Sequence, residues 1–274
     1  MENYACCAGS GALTIQKWSA NPELKFVCEE LDEKVLPILL FNLCIRNIEA
    51  TVINKNILTG EIICSYKTHK GFIYACVQRS MFPETELMKA DVSISNPPFN
   101  LKVSVSETII KDLPQKYTCN FAFVAHCLQR SDRCALILPR GVLTSKEEKE
   151  CRKFLIEKGW LQAAISLPEK MFESTSVATC ILVLDKRKTT KDVMLINADG
   201  MKSIELREQR GEGDASHYNR IYTKEFNTFS DEQIAAICEL VTKEQDSFSK
   251  RISQEELEQH GYNLTIGPYL PIEL

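Results

Sequence analysis

The stretch Asp91-Val92-Ser93-Ile94-Ser95-Asn96-Pro97-Pro98-Phe99 predicts a short buried strand that ends in a rigid turn. Two consecutive prolines cannot continue a central strand, because proline has no main-chain N–H to donate, so the chain leaves the sheet at Asn96. The turn holds two acceptor oxygens, on the Asn96 side chain and the Pro97 carbonyl, that can take hydrogen bonds from an exocyclic amine. Phe99 adds a flat apolar face on which a base can stack. The pattern indicates a ligand site at a strand end, with a generic loop turn as the alternative.

On both sides of this stretch, short apolar runs alternate with longer amphipathic segments. Strands that alternate with helices form a mostly parallel sheet with helices on both faces, so we expect a doubly wound α/β fold. Its ligands bind at the carboxyl ends of the strands. Because Pro37 fits only the first turn of a helix, the helix pattern over 32–47 is expected to begin near Leu36. The predicted strands cover 24–28, 50–53, 91–95, 134–138, 161–166 and 177–185, and the other predicted helices cover 117–130 and 146–158.

The pattern weakens after about Lys188. The polar segment 205–219 contains two glycines and predicts a loop or hairpin. Ser230 is a plausible N-cap for a helix over 231–244, and a Ser253-x-x-Glu256 capping box opens a short helix over 253–260. The sequence therefore predicts a core over residues 1–188 and a small helical C-terminal extension over residues 189–274.

The composition, 44% hydrophobic and 26% charged residues in a chain of 274, is ordinary for a globular protein. No apolar stretch is long enough for a membrane span and the first residues do not resemble a signal peptide, so we expect a cytoplasmic protein without a membrane partner. The 12 cysteines include no Cys-x-x-Cys pair, which predicts free thiols and no metal site. The net charge of −4 disfavours a protein that grips DNA tightly on its own, because phosphate neutralisation dominates such affinity.

Two further motifs precede the Asn-Pro-Pro-Phe turn. The glycines of Ala8-Gly9-Ser10-Gly11 allow a sharp turn and a close approach of a ligand to the backbone. Glu30 follows the strand predicted over 24–28, and an acidic residue about 20 residues after a glycine-rich turn is the usual acceptor for ribose hydroxyls. Taken singly, a plain tight turn and a solvated loop carboxylate are the alternatives.

Together these motifs resemble the amino-group DNA methyltransferases, and specifically the modification subunits of type I restriction-modification systems. Asn96-Pro97-Pro98-Phe99 matches that family's catalytic motif. The resemblance spans nearly the whole chain and implies a seven-stranded class I methyltransferase sheet of Rossmann-like type. It continues through 136–143, 152–155, 165–168, Met171-Phe172 and 179–184 to the tail residues Tyr262, Leu264, Tyr269 and Leu270.

The resemblance also implies the activity, which is methyl transfer from S-adenosyl-L-methionine (AdoMet) to N6 of adenine in DNA. Glu30 would accept both ribose hydroxyls, and Asn96 and Pro97 would accept the N6 hydrogens of a flipped adenine that stacks on Phe99. A specificity subunit would choose the DNA site, and a restriction subunit is a further candidate partner. The implied catalytic residues are Asn96, Pro97, Pro98 and Phe99, and the implied AdoMet-binding residues are Ala8, Gly9, Ser10, Gly11, Glu30, Leu31 and Asn56.

The sequence departs from the family pattern at three points. Ala5 stands where the family has an acidic residue before its glycines, with Glu2 and Asn3 as nearby candidates to compensate. The family's N-terminal helical region is expected to be missing, because the chain starts almost at the glycine motif. In place of an Asp after the third strand there are two asparagines, Asn54 and Asn56. Of these we favour Asn56 as the residue that contacts AdoMet.

Two alternative functions stay open at this point. Related enzymes with Asn-Pro-Pro-Tyr modify glutamine in release factors or guanine amino groups in RNA, although Phe99 and the tail favour adenine in DNA. A non-catalytic binding or assembly module is the other alternative, and Ala5 together with the expected N-terminal truncation supports it.

Overall fold

A computed structural model of the chain describes residues 2–81, 89–101, 118–172, 177–210, 221–243 and 245–270. Within them the strands are β1 (Glu2–Cys6), β2 (Lys25–Glu30), β3 (Ala50–Lys55), β4 (Ile62–His69), β5 (Cys76–Arg79), β6 (Val92–Ser95), β7 (Arg133–Pro139), β8 (Leu161–Ser166), β9 (Thr179–Asp185), β10 (Val193–Asn197), β11 (Ser203–Arg210), β12 (Ile221–Thr228), β13 (Gln245–Asp246) and β14 (Ser249–Ile252). The helices are α1 (Ala12–Ala20), α2 (Leu36–Ile45), α3 (Cys119–Arg130), α4 (Lys149–Glu157), α5 (Asp231–Leu240) and α6 (Gln254–Gln259), with 3-10 turns at Arg140–Leu143 and Gly267–Tyr269.

Twelve of the described strands form one sheet in the order β13-β14-β10-β8-β9-β7-β6-β1-β2-β3-β4-β5. Its central seven, from β8 to β3, are parallel except for β9, which runs antiparallel to both neighbours. This confirms the predicted doubly wound class I fold. The sheet is larger than the seven strands expected, because β4 and β5 extend one edge and β10, β14 and β13 extend the other.

The two faces of the central sheet are covered by different helices. Alternate residues of a strand point to opposite faces, so β1 sends Tyr4 to one core and Ala5 to the other. The core around Tyr4 contains the buried side chains of α3 and α4, and the core around Ala5 contains those of α2. The order of the strands and helices on the two faces is therefore that of a doubly wound fold.

Local sequence signals set several element boundaries as expected. Helix α2 begins at Leu36 with Pro37 in its first turn, which confirms the prediction. Helix α5 begins after a capping box in which Ser230 and Gln233 exchange hydrogen bonds, and Ser253 caps α6. Of the segment predicted as a loop or hairpin, residues 205–210 belong to β11, which pairs with β12 in the antiparallel direction, and residues 211–219 lie outside the described ranges.

The extension predicted after residue 188 contributes to the same sheet. Strand β10 pairs in parallel with β8, and β14 pairs with β10 in the antiparallel direction. The boundary at residue 188 stays a prediction, but the strands beyond it are not a separate layer.

No helix among the described residues is long and apolar enough to cross a membrane. The 12 cysteines, all within the described ranges, are free thiols.

Candidate active site at the carboxyl edge of the sheet

The sequence motifs meet where the strand order reverses. Strand β1 pairs with β2 on one side and with β6 on the other, and the register places Cys6 opposite both Glu29 and Ser95. The chain leaves β1 towards α1 and leaves β6 towards the proline turn, so a crevice opens at the carboxyl ends of these strands. Ser95 Oγ donates to the Cys6 carbonyl at 2.6 Å and fixes the two strand ends against each other.

The glycine loop after β1 turns through left-handed backbone conformations. Gly9 has φ +56° and Gly11 has φ +93°. A Cβ at Gly11 would lie 2.9 Å from Leu39 Cδ1, whereas a Cβ at Gly9 would meet no atom within 4 Å. Gly11 therefore allows α1 to pack against α2, and Gly9 presents bare backbone to open space. Asn42 Nδ2 donates to the Ser10 carbonyl at 2.9 Å and holds the loop to α2.

Glu30, at the end of β2, connects the glycine loop to the next loop. Its carboxylate accepts the Gly9 N–H at 2.7 Å and the Asp32 N–H at 2.9 Å. Ala8, at the start of the glycine loop, is half-buried, and Leu31 exposes about half of its side chain beside Glu30. The Glu30 carboxylate thus joins the two loops that carry the predicted AdoMet-binding residues, from Ala8 to Gly11 and from Glu30 to Leu31.

The two asparagines near the end of β3 have different surroundings. Asn54 is buried and donates from Nδ2 to the carbonyls of Glu30 and Leu31 at 2.9 and 3.0 Å. Asn56 lies beyond the strand, where its Oδ1 accepts the main-chain N–H groups of Leu58 and Thr59 at 3.0 and 3.3 Å. Asn54 therefore holds the Glu30 loop in place, while the Asn56 side chain organises its own turn. The predicted contact from Asn56 to the cofactor stays a prediction.

The Asn-Pro-Pro-Phe turn lines a cavity of about 420 Å³, together with Asn100, Phe172 and Val177. Pro97 is buried, Phe99 is half-buried and Pro98 is exposed. Asn96 Oδ1 is buried and accepts no hydrogen bond from any residue that the structure describes. The Phe99 and Phe172 rings meet edge to face, with centroids 6.2 Å apart. The cavity is therefore lined by two aromatic rings and by Asn96, whose side chain carries the buried acceptor oxygen without a partner.

The acidic position that the resemblance assigns to residue 5 is occupied by a buried methyl group. Ala5 is 2% exposed and packs in the core with α2. Glu2 and Asn3 lie at the amino end of β1, opposite Lys25 and Phe26. The expectation that Glu2 or Asn3 compensates is wrong, because β1 carries both residues away from the edge where the glycine loop begins.

Sequence reasoning missed a buried ionic cluster beneath the glycine loop. Glu29 is fully buried and accepts from Tyr4 Oη at 2.7 Å and from Arg130 at 2.5 Å, and it lies 2.8 Å from His126 Nε2 and 3.5 Å from Lys55 Nζ. Burial raises the pKa of Glu29, but the His126 hydrogen bond and the charges of His126, Arg130 and Lys55 outweigh it and hold the pKa at about 2. The acidic pair Glu29-Glu30 was the sequence signal for this cluster. Neighbouring strand residues face opposite sides of the sheet, so only one of the two carboxylates can face the glycine loop and the other needs partners of its own.

These features agree with what comparisons with known proteins show. The family model for N-6 DNA methylases matches residues 2–273. The chain belongs to the N-6 DNA methylase family. Among the described residues, this family member has no cluster of His, Cys, Asp and Glu side chains that could hold a metal ion.

Two curated relatives are methylase subunits of type I restriction enzymes. The MpnII methylase subunit of Mycoplasma pneumoniae is 26% identical over 288 residues, and the MjaVIII methylase subunit of Methanocaldococcus jannaschii is 24% identical over 286 residues. The two alignments cover 99% and 97% of this chain but 48% and 45% of the relatives. The chain therefore spans about half the length of the curated relatives it matches.

A solved structure shows the same fold. The methyltransferase subunit of a type I restriction-modification system from Streptococcus thermophilus aligns with 97% of this chain and 53% of its own length, with a TM-score of 0.74 and 23% sequence identity. The family and fold predicted from the sequence are thus confirmed.

Proposed function

We propose that this chain forms the catalytic core of a modification subunit that transfers a methyl group from AdoMet to N6 of adenine in DNA. One observation carries the proposal. The Asn96 side chain, whose buried Oδ1 has no hydrogen-bond partner among the described residues, lines a cavity at the end of β6, the strand that pairs with β1. A buried acceptor without a partner is costly, and an amine donor from a ligand would relieve that cost.

The cofactor side of the proposed site fits AdoMet. The open face of Gly9 leaves room for a ligand against the backbone. Glu30 is anchored by the amides of Gly9 and Asp32, and each carboxylate oxygen keeps a further lone pair for a ribose hydroxyl. Leu31 offers an exposed apolar side chain beside Glu30. When bound, AdoMet supplies an electrophilic sulfonium methyl group.

The target side of the site fits an extruded adenine. The amino nitrogen of adenine is paired inside the duplex, so the base must leave the stack to reach any protein side chain. Phe99 offers the stacking face, while Asn96 Oδ1 and the Pro97 carbonyl accept the two N6 hydrogens. These two hydrogen bonds aim the nitrogen lone pair towards the methyl group.

The chemistry then needs only positioning and electrostatics from the protein. The N6–methyl bond forms as the sulfur–methyl bond breaks, the sulfur keeps the bonding electron pair, and N6 releases one proton to water. The step involves no covalent enzyme intermediate, so none of the cysteines has a required role.

The choice of DNA site is proposed to rest with a partner specificity subunit in a cytoplasmic assembly. A restriction subunit is a further candidate partner. Two relatives are methylase subunits of type I restriction enzymes, which supports this division of labour. The net charge of −4 also supports it, because a chain that binds DNA alone usually carries a basic excess.

The decisive experiment is Asn96→Ala, assayed for methyl transfer to DNA in the presence of the specificity subunit. We expect the turnover rate to fall by roughly 100-fold or more, because the acceptor that orients N6 is lost, while AdoMet affinity measured by calorimetry stays unchanged. Asn21→Ala is the matched control, since Asn21 is exposed at the end of α1 on the amino side of the sheet. Wild-type turnover in Asn96→Ala would refute the mechanism.

The buried Ala5, which stands in place of an acidic residue, favours one alternative function, a methyltransferase-like module without catalysis. This alternative predicts that wild-type protein shows no calorimetric signal with millimolar AdoMet. Binding of AdoMet with methylation of RNA or of a protein glutamine, but not of DNA, would instead favour a methyltransferase with another substrate.

A further inference from the structure

The residue that follows the Asn-Pro-Pro-Phe turn is locked to helix α3 by a reciprocal pair of hydrogen bonds. The Asn100 N–H donates to Asn120 Oδ1 at 3.2 Å, and Asn120 Nδ2 donates to Asn100 Oδ1 at 3.2 Å. Asn100 is exposed and has a left-handed backbone with φ +52°, a conformation that needs support from its surroundings. The Asn120 side chain provides that support from the first turn of α3.

Asn120 is itself oriented by the buried carboxylate of Glu148. Asn120 Nδ2 donates to Glu148 Oε1 at 3.1 Å, and Thr118 Oγ1 donates to the same oxygen at 2.5 Å. Ser145 Oγ donates to Glu148 Oε2 at 2.9 Å. Glu148 is 3% exposed and lies immediately before α4. Because a carboxylate only accepts hydrogen bonds, Glu148 forces Asn120 to present its NH2 group inwards and its Oδ1 to the Asn100 amide.

The carboxylate thus joins three segments of the chain that end near the site. They are the proline turn, the start of α3 through Thr118 and Asn120, and the loop after β7 through Ser145. The last of these is fixed in turn by Arg152, which donates to the Ser145 carbonyl at 2.9 Å. Glu148 lines no part of the cavity at Asn96.

We propose that Glu148 is a positioning residue for methyl transfer, which acts through Asn120 to hold the Asn96–Phe99 turn in its reactive geometry. The claim about catalysis rests on the proposed function, whereas the claim about the turn does not. A misplacement of a reacting group by about 1 Å can cost about 100-fold in rate. The position of the Asn96–Phe99 turn therefore sets the rate of methyl transfer.

Amide hydrogen exchange tests the contact without any need for activity. In Glu148→Leu and in Asn120→Ala, we expect exchange at the Asn100 amide to rise about tenfold or more, while amides in β1 and β7 exchange as in the wild type. Glu148→Gln should retain slow exchange, because its carbonyl still accepts from Asn120 and its NH2 can donate to Ser145. Glu147→Leu is the matched control, since it removes the same charge from an exposed neighbour.

Turnover then separates positioning from a purely structural role. We expect the kcat of Glu148→Leu for DNA methylation to fall roughly 10- to 100-fold with the KM for AdoMet unchanged, and Glu148→Gln to stay within about threefold of the wild type. Asn100→Gly is the variant that preserves folding, because glycine tolerates φ +52° and the substitution removes the side chain whose Oδ1 accepts from Asn120. Its loss of kcat should be less than additive with that of Asn120→Ala.

Wild-type exchange at Asn100 in folded Asn120→Ala or Glu148→Leu protein would overturn the proposal. An equal loss of kcat in Glu148→Leu and in Glu148→Gln would also overturn it. If Glu148→Leu fails to fold, the proposal is tested by amide exchange in Asn120→Ala and by the kcat of Asn100→Gly. An inactive wild-type protein with the expected exchange pattern would refute the proposed function and leave the contact to the turn established.

Discussion

Gly9 and Gly11 show how two identical residues in one motif can have different tasks. Both have positive φ, so any side chain there strains the backbone. Only Gly11 is also crowded, with Leu39 Cδ1 2.9 Å from the position of an added Cβ, while the space beside Gly9 is open. The crowded glycine serves the packing of the fold, and the open glycine serves the proposed ligand.

This contrast yields a prediction for two alanine variants. Gly11→Ala should lower the free energy of unfolding by about 1–2 kcal/mol, from backbone strain together with the shift forced on Leu39. Gly9→Ala should cost about 1 kcal/mol in stability from strain alone, yet weaken AdoMet binding more than Gly11→Ala, because its methyl group fills the open face. Urea unfolding and calorimetry measure the two effects. A larger loss of AdoMet affinity in Gly11→Ala would contradict the assignment.

Asn54 and Asn56 mark a limit of prediction at the scale of single residues. The sequence places both near the end of the third strand, and the preference for Asn56 has no support in the local pattern, because a shift of two positions keeps the same strand face. The structure separates them, since Asn54 binds the carbonyls of Glu30 and Leu31 while Asn56 Oδ1 accepts amides of its own turn.

At the scale of elements, the Glu29 cluster ties strands β1, β2 and β3 to helix α3. Tyr4 comes from β1, Lys55 from β3, and His126 and Arg130 from α3, and all four side chains face the Glu29 carboxylate. The cluster lies under the glycine loop, whose Ala8 N–H donates to the Glu29 carbonyl at 2.9 Å. Loss of this charge would leave Arg130 buried without its carboxylate partner.

The cluster predicts how stability depends on pH. The pKa of Glu29 is about 2 in the folded protein against 4.5 for an ordinary glutamate, so the folded state favours the ionised form. This contribution is complete above pH 4.5 and is lost as the pH falls from there towards about 2, an effect of roughly 3 kcal/mol.

Unfolding free energies measured between pH 7 and pH 3 check this prediction. Glu29→Gln should be less stable than the wild type at pH 7, and the difference should shrink as the pH falls. Glu23→Gln, at an exposed glutamate before β2, is the control and should follow the wild-type curve. A constant difference between Glu29→Gln and the wild type from pH 7 to pH 3 would contradict the ionised cluster.

Several elements were predictable from local signals alone. Pro37 marks the start of α2, and Ser230 and Ser253 mark the starts of α5 and α6. Strands β4 and β10 were not predicted. β4 mixes polar and apolar residues at the edge of the parallel region, and β10 is a short apolar run that becomes a strand by pairing with β8 and β14.

At the scale of the whole molecule, the sheet runs across the boundary predicted at residue 188. Strand β10 buries Met194 and Leu195 completely, in cores on opposite faces of the sheet. Leu264, in the C-terminal tail, is also buried in the core with α3 and α4. We therefore expect the core and the extension to unfold together.

Leucine truncations test this cooperativity within the extension. Leu195→Ala should lower the free energy of unfolding by about 2–5 kcal/mol and shift a single transition, because the side chain is buried in the common core. Leu206→Ala is the matched control in the hairpin β11–β12, where Leu206 is 65% exposed, and should change stability by less than about 0.5 kcal/mol. Two separate transitions in the wild type, with only one moved by Leu195→Ala, would show an independent extension.

The sequence by itself determined the alternation of strands and helices and the rigid turn at Asn96, because periodicity, caps and prolines act over a few neighbouring residues, and the family followed from the resemblance of its motifs. Tertiary structure alone decided that Glu29 is buried in an ionic cluster, how far the sheet extends, and that Glu148 reaches the proline turn through Asn120. These outcomes depend on contacts between segments far apart in the chain. Side-chain direction and burial there are set by packing, which no local pattern encodes.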